Sequence, residues 1–222
     1  TYFRLFIQNY LPKKEQFFIF LDPDVVCIQD PIEEIENTIK NMNNTEFTIS
    51  AKTEHEFGVE RINVSGKYFN AGVMVIDFSK WQQNNYHEKL IKKLGDIKND
   101  IVEWDQDVIN SMLDGKYLEL NKVLNFKAAS KVDKAYKSKI LFIHYMGSHK
   151  PWLTSGIFQK DSNYYHENFR KIAKKNFHIE HKWRIRSITD FLVAIITLRI
   201  FRVKKTFVFI FEFVKSLINN KN

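Results

Sequence analysis

The sequence predicts an α/β fold, a mostly parallel central sheet flanked by helices, followed by a basic amphipathic helical tail. Three observations carry that expectation. Short, almost wholly apolar runs, Phe17–Leu21 foremost, are too short for helices and too apolar for surface strands. Helical patterns with start and stop signals alternate with them. From residue 171 onward the charge balance changes abruptly: residues 171–222 hold 12 Lys or Arg against 3 Asp or Glu, whereas residues 1–170 hold 22 against 23.

In chain order, residues 1–11 read as a helix closed by Pro12, and Phe17–Leu21 as a strand buried on both faces. Asp30-Pro31 opens a helix, with Asp30 as N-cap and Glu33, Glu34 and Glu36 where the helix dipole favours acids. Residues 47–51 and 73–78 form further strands, and the polar loop 52–66 between them is long enough to expect a binding role. Two amphipathic helices follow, over 86–94 and 104–113, the second with Gly115 at its C-cap. Strands over 117–120 and 140–145 complete the domain, and the second runs into a loop at 146–156. A catalytic domain over 1–170 and a tail over 171–222 are the expected organisation.

The 222 residues are 44% apolar and 15% aromatic, enough for a substantial core. A single cysteine, Cys27, excludes an intramolecular disulfide, points to a reducing compartment, and is expected to pack in the core. The tail interleaves its bases with Phe191, Leu192, Phe201, Phe207 and Phe211, a density of large apolar side chains that favours a lipid surface over nucleic acid. Its apolar runs are interrupted by Arg199, Arg202, Lys204 and Lys205 before any reaches the roughly 18 residues a membrane span requires, so residues 178–222 read as interfacial helices on an anionic membrane. The competing expectation is that part of the tail packs on the domain as a core helix.

Four clusters could do chemistry. Asp22 and Asp24 end the first strand; an intervening Pro23 favours extended geometry, which projects both carboxylates to one side, where a divalent cation would keep both ionised. In open α/β sheets ligands gather beyond such strand ends. Asn70, Ala71 and Gly72 offer an amide and small residues that allow close backbone approach. Asp105, Gln106 and Asp107 start a helix, where they serve equally well as capping groups. His144 ends a strand as Asp22 does, and imidazole with two carboxylates suits a Mn²⁺-like ion. Gly147 and Lys150 behind it could hold phosphate.

Five segments, Tyr2-Phe3-Arg4-Leu5, Leu21-Asp22-Pro23-Asp24-Val25, Tyr68-Phe69-Asn70-Ala71-Gly72-Val73, Trp104 to Asn110 and His144 to Trp152, occur in the order seen in glycosyltransferase family 8. The chain resembles that family's bacterial lipopolysaccharide galactosyl- and glucosyltransferases over about residues 1–155. The resemblance implies a Rossmann-like nucleotide-diphospho-sugar transferase fold and a retaining, Mn²⁺-dependent transferase, with Mg²⁺ as the substitute ion. It would use a UDP-sugar donor and a glycan or lipid-linked saccharide acceptor, and would lie peripherally on the cytoplasmic face of the bacterial plasma membrane. By the same resemblance Asp22, Asp24 and His144 bind metal and Gly147 and Lys150 hold the diphosphate. Arg4 and the Asn70-Ala71-Gly72 segment face the donor sugar, and Asp105 and Gln106 border the reacting centre. The family's first, uracil-cradling strand has no counterpart here, so the chain by itself is expected to bind donor poorly. Other expectations that fit the same residues are a glycogenin-like self-glucosylating enzyme and a non-catalytic nucleotide-sugar or glycan-binding protein.

Overall fold

A computed structural model describes residues 2–12, 14–54, 62, 64 and 67–219. Seven strands occur among them: β1 (Phe17–Leu21), β2 (Val25–Cys27), β3 (Ile49–Thr53), β4 (Phe69–Asp77), β5 (Leu118–Glu119), β6 (Phe126–Lys127) and β7 (Phe142–His144). Packing divides the chain into two compact units, Thr1–Pro23 with Asp30–Asn125, and Asp24–Gln29 with Phe126–Asn222.

The first unit is built on a four-stranded sheet in the order β1-β4-β3-β5. Its centre is β4, all nine residues of which are buried, as expected of an apolar strand covered on both faces. Leu5, Trp81, Leu90, Val108, Ile109 and Leu113 pack with strand residues Phe69, Met74 and Ile76 in one core cluster, so the helices Phe78–Gln83, Tyr86–Ile97 and Asp105–Leu113 all contribute apolar faces to it. Asp77 caps the first of these by accepting from the Lys80 N–H.

The α/β class holds, but the sheet is not mostly parallel. Both neighbours of β4, β1 and β3, run antiparallel to it, and only the two-residue pairing of β3 with β5 is parallel. Nor is β1 buried on both faces: it lies at the end of this strand order, and Ile19 and Leu21 are exposed while Phe18 and Phe20 turn toward the core. Apolar composition marks a strand without fixing its direction or its place in a sheet. Residues 2–9 coil as a 3-10 helix, tighter than the expected α-helix. The next helix starts at Ile32 with Pro31, not Asp30, at its N-cap, one position later than expected; Asp30 lies just before it, its Oδ1 accepting from the Ile32 N–H in a local turn. Most of the loop 52–66 lies outside the described residues.

The second unit holds a three-stranded sheet, β2-β7-β6, with β2 antiparallel and β6 parallel to β7. Cys27 is exposed here and its thiol donates to the Gln29 carbonyl; in a three-residue strand the middle residue, Val26, is the one that turns inward. The tail residues Phe177, Ala194, Ile200, Val203, Phe209 and Phe213 form a buried cluster with Ile157 and Phe158. Part of the tail therefore packs as a core. The other faces of its helices, Arg184–Ile196 and Thr206–Asn219, carry exposed Ile185, Leu192, Ile196, Phe207, Phe211 and Ile218. No helix among the described residues is long and apolar enough to cross a membrane.

Candidate active site

In the first unit the site is assembled around an irregularity in β4. Pairing with β3 runs Ile49↔Ile76, Ser50↔Val75 and Ala51↔Met74, then jumps to Lys52↔Asn70, leaving the backbone of 71–73 out of that ladder. Such bulges re-aim groups beside functional sites, and the backbone polar groups they release must find other partners. They do so with the very side chains singled out by the sequence. The Ala71 N–H donates to Gln106 Oε1 at 2.8 Å, the Ala71 carbonyl accepts from Arg4 Nη1 at 2.7 Å, and the Gly72 N–H donates to Asn70 Oδ1 at 3.0 Å. Strand β1 lies on the other side of β4, and its register continues to the Asp22 N–H, which donates to the Gly72 carbonyl at 2.8 Å.

Arg4 is the hub. Its Nη2 donates to Asp22 Oδ1 at 2.7 Å, its Nε lies 2.6 Å from Asp105 Oδ2 as a charge contact outside hydrogen-bond alignment, and its guanidinium stacks 4.3 Å above the Phe20 ring. A planar fork of donors serves two acceptors while facing a second carboxylate, in a way a lysine could not. Asp105 is almost wholly buried, and that burial pushes its carboxyl above the ordinary carboxylate range against the opposing pull of Arg4.

Gln106 is equally fixed. Its Oε1 is taken by the Ala71 N–H, and its Nε2 donates to the Tyr68 hydroxyl at 3.0 Å. That hydroxyl in turn donates to Asp107 Oδ1 at 2.7 Å, and burial raises the phenol well above its usual range. Asp107 also accepts from the Val102 and Glu103 N–H groups, which makes it the structural anchor of this turn. Asn110 accepts from the Phe69 N–H and donates to its carbonyl. Asn70 receives a further hydrogen bond, from Asn125 Nδ2 at 3.0 Å. Asn125 carried no signal in the sequence, because a lone Asn after an apolar run reads as a turn.

In the second unit, strand register does the same work. Val25 of β2 pairs with His144 of β7, and the Tyr145 N–H donates to the Asp24 carbonyl, so Asp24 sits beside the imidazole. Both residues are buried, with His144 Nε2 3.3 Å from Asp24 Oδ1. The Lys150 ammonium pairs with Asp24 Oδ2 and donates to the Tyr145 carbonyl at 2.8 Å. Burial alone would push the Asp24 carboxyl up; the His144 and Lys150 contacts outweigh it and hold the group below the usual range. Gly147 takes a left-handed φ of 76°, and a Cβ there would meet nothing within 4 Å.

Two residues that the sequence reading missed hold this loop. A Cβ on Gly156 would run into the His149 and Lys150 carbonyls, so only glycine allows that approach. His166 is buried, its Nε2 bonds the Pro151 carbonyl at 2.9 Å, and burial lowers its pKa to about 4, so it is neutral and donates that bond.

Residues 1–156 match the sequence profile of Glycosyl transferase family 8. The chain is 31% identical over 173 residues to the lipopolysaccharide 1,3-galactosyltransferase of Salmonella typhimurium, covering 71% of this chain and 50% of that protein. It is 32% identical over 188 residues to a lipopolysaccharide 1,2-glucosyltransferase of Escherichia coli, covering 79% and 54%. The chain thus spans about half the length of these two relatives. Among solved structures it is similar in fold to the galactosyltransferase LgtC in complex with donor and acceptor sugar analogs, with a TM-score of 0.58, 22% identity, and coverage of 82% of this chain and 69% of that one. With the family profile spanning more than half of its residues, the chain belongs to glycosyltransferase family 8.

Proposed function

We propose that the protein to which this chain belongs is a retaining hexosyltransferase that moves galactose or glucose from a UDP-sugar to a lipopolysaccharide or related glycan acceptor, with Mn²⁺ bound by Asp22, Asp24 and His144. The observation that carries the reading is the pairing of a buried carboxylate, Asp24, with a buried imidazole, His144, and with the Lys150 ammonium. Asp22 precedes Asp24 by a single proline, and the resulting donor set of two carboxylates and one imidazole is one that a hard to borderline divalent ion accepts. The similarity to lipopolysaccharide galactosyl- and glucosyltransferases supports the sugar and acceptor classes.

Bound there, the ion supplies Lewis-acid stabilisation of the charge that develops on the departing nucleoside diphosphate. The chain's own residues do the rest. Lys150 adds a positive charge for the diphosphate, beside a loop that Gly147 keeps open to close approach. Arg4 and the Asn70-Ala71-Gly72 segment would orient the donor sugar, their own positions being fixed by hydrogen bonds within the protein. Asp105 and Gln106 border the anomeric carbon. Gln106 is a neutral amide with both ends engaged, a poor nucleophile. Retention is therefore assigned to attack on the face from which the diphosphate departs: the acceptor hydroxyl forms the new C–O bond, the bond to the phosphate oxygen breaks, and that oxygen accepts the hydroxyl proton.

The exposed apolar faces of Arg184–Ile196 and Thr206–Asn219, with the basic residues between them, are assigned to docking on the anionic inner face of the bacterial plasma membrane. The test of the activity uses the whole protein. Mn²⁺-dependent release of UDP from UDP-galactose or UDP-glucose is expected, and Asp24→Ala or His144→Ala should reduce it at least about a hundredfold without unfolding the protein. Unchanged turnover in either variant would overturn the metal assignment, and glucose added to the protein's own tyrosine would favour the self-glucosylating alternative.

A further inference from the structure

Beside the Gly147–Lys150 loop, the second unit contains a cleft of about 310 Å³, near the lower end of the roughly 300–1,000 Å³ usual for small-ligand sites. One wall is that loop with Thr154 and Ser155; the other is the segment from Glu180 to Asp190. The two walls are joined by protein contacts. The Glu180 N–H donates to the Trp152 carbonyl at 2.9 Å, Leu153 forms a β-bridge with Glu180, and Thr154 Oγ1 donates to Asp190 Oδ2 at 3.4 Å. The Glu180 carboxylate is itself held by His178 Nε2 at 3.0 Å, and Tyr165 by His178 Nδ1 at 2.6 Å. The cleft is therefore formed before any ligand arrives.

Its lining combines features that a metal or nucleotide does not require. Trp183 lines the cleft and stands 67% exposed, an aromatic side chain large enough to stack on a sugar ring. Thr154, Ser155 and Ser187 line it together with Glu180 and Asp190, hydroxyls and carboxylates being the mixture of donors and acceptors that suits sugar hydroxyls. Two cations, Lys182 and Arg186, have no carboxylate within ion-pairing distance among the described residues, and they line a concave surface, where neighbouring walls limit their screening by water. Unpaired cations in a cleft with an aromatic wall call for a ligand that is both a saccharide and an anion. The position limits the ligand further. One wall of the cleft is the loop assigned to the donor diphosphate, and the other includes the start of Arg184–Ile196, the helix whose exposed Ile185, Leu192 and Ile196 are assigned to the membrane.

Resting on that functional reading, we propose that this cleft is an acceptor subsite that binds an anionic, phosphate-bearing sugar of a lipid-linked saccharide. The subsite grips the acceptor between its lipid attachment and the sugar that receives the hexose. Trp183 stacks on the ring, Arg186 and Lys182 hold the phosphate, and Asp190 and Glu180 accept from hydroxyls.

The test uses the whole protein, with mannose 6-phosphate, mannose and inorganic phosphate as probes in ligand-observed NMR titrations, beside Mn²⁺-dependent UDP-sugar hydrolysis. Mannose 6-phosphate should bind at least about tenfold more tightly than either mannose or phosphate. The double substitution K182A/R186A should remove that preference, and W183A should weaken both sugars, while donor hydrolysis stays unchanged. Equal binding of phosphate and sugar phosphate would overturn the saccharide assignment. Undiminished sugar-phosphate binding by K182A/R186A would overturn the site, as would a loss confined to sedimentation with anionic vesicles. Tight sugar-phosphate binding by a protein that hydrolyses no UDP-sugar would instead count against the transferase reading and leave the subsite standing.

Discussion

The two units hold their site residues by different means. In the first, Arg4, Asn70, Ala71, Gly72, Asp105 and Gln106 belong to one continuous network in which side chains replace missing sheet hydrogen bonds. In the second, strand register sets Asp24 beside His144, and the Lys150 ammonium reaches Asp24 from the loop behind, so the three are joined by contacts to one carboxylate. The difference separates two tasks. Groups that orient a sugar gain from being locked, because misplacement by about 1 Å costs rate. Groups that receive a cation and a diphosphate must exchange one charged partner for another, so contacts among themselves have to be replaceable. Substitutions in the first unit should therefore cost stability, and those in the second should cost function.

The largest effect is expected at the hub. Arg4→Ala would take a counter-charge from Asp22 and Asp105 and the side-chain donor from the Ala71 carbonyl, and should destabilise the first unit by about 4 kcal/mol in urea unfolding. A loss below about 1 kcal/mol would show that the network is not a structural unit. Next comes His166. Its pKa in the folded protein, about 4, lies below the unfolded value of 6.5, so the unfolded chain binds the proton first. Stability is full above pH 6.5, falls as pH drops through that window, and levels off below about pH 4, a loss of about 3 kcal/mol. His166→Gln should flatten this slope in thermal melts recorded across pH 4 to 7. The smallest effect on stability lies on the outer face of the last helix. Phe207 and Phe211 are exposed whereas Phe209, between them, is buried. The double substitution Phe207→Ser, Phe211→Ser should change stability by less than about 0.5 kcal/mol yet lower co-sedimentation with anionic vesicles about tenfold. Unaltered sedimentation would remove this face from the membrane assignment.

The sequence was most legible where chemistry is concentrated in short segments. Asp22 and His144 follow or end strands that can be read from apolar runs, whereas the Asn70 and Asp105 segments meet Asp22 in the first unit through Arg4 and Gln106. Strand direction was not legible, since β1 and β3 have the same composition whichever way β4 runs beside them. The bulge at 70–73 was also hidden: it depends on pairing with β3, whereas the local sequence shows only small residues. Cys27 was misjudged because burial in a three-residue strand depends on the neighbouring strand. The last helix, Thr206–Asn219, is apolar on nearly every face, so periodicity alone could not separate the buried Phe209 and Phe213 from the exposed Phe207 and Phe211. Gly156 and His166 act through backbone carbonyls of residues 149–151, a kind of contact that leaves no pattern in composition.

Calorimetric titration of the whole protein with Mn²⁺ tests the central claim most directly. A single binding event is expected, lost in Asp24→Asn and in His144→Gln and retained in Asp190→Asn, whose carboxylate lies in the neighbouring cleft. Binding of Mn²⁺ by Asp24→Asn or His144→Gln as strong as that of the unsubstituted protein would contradict the account.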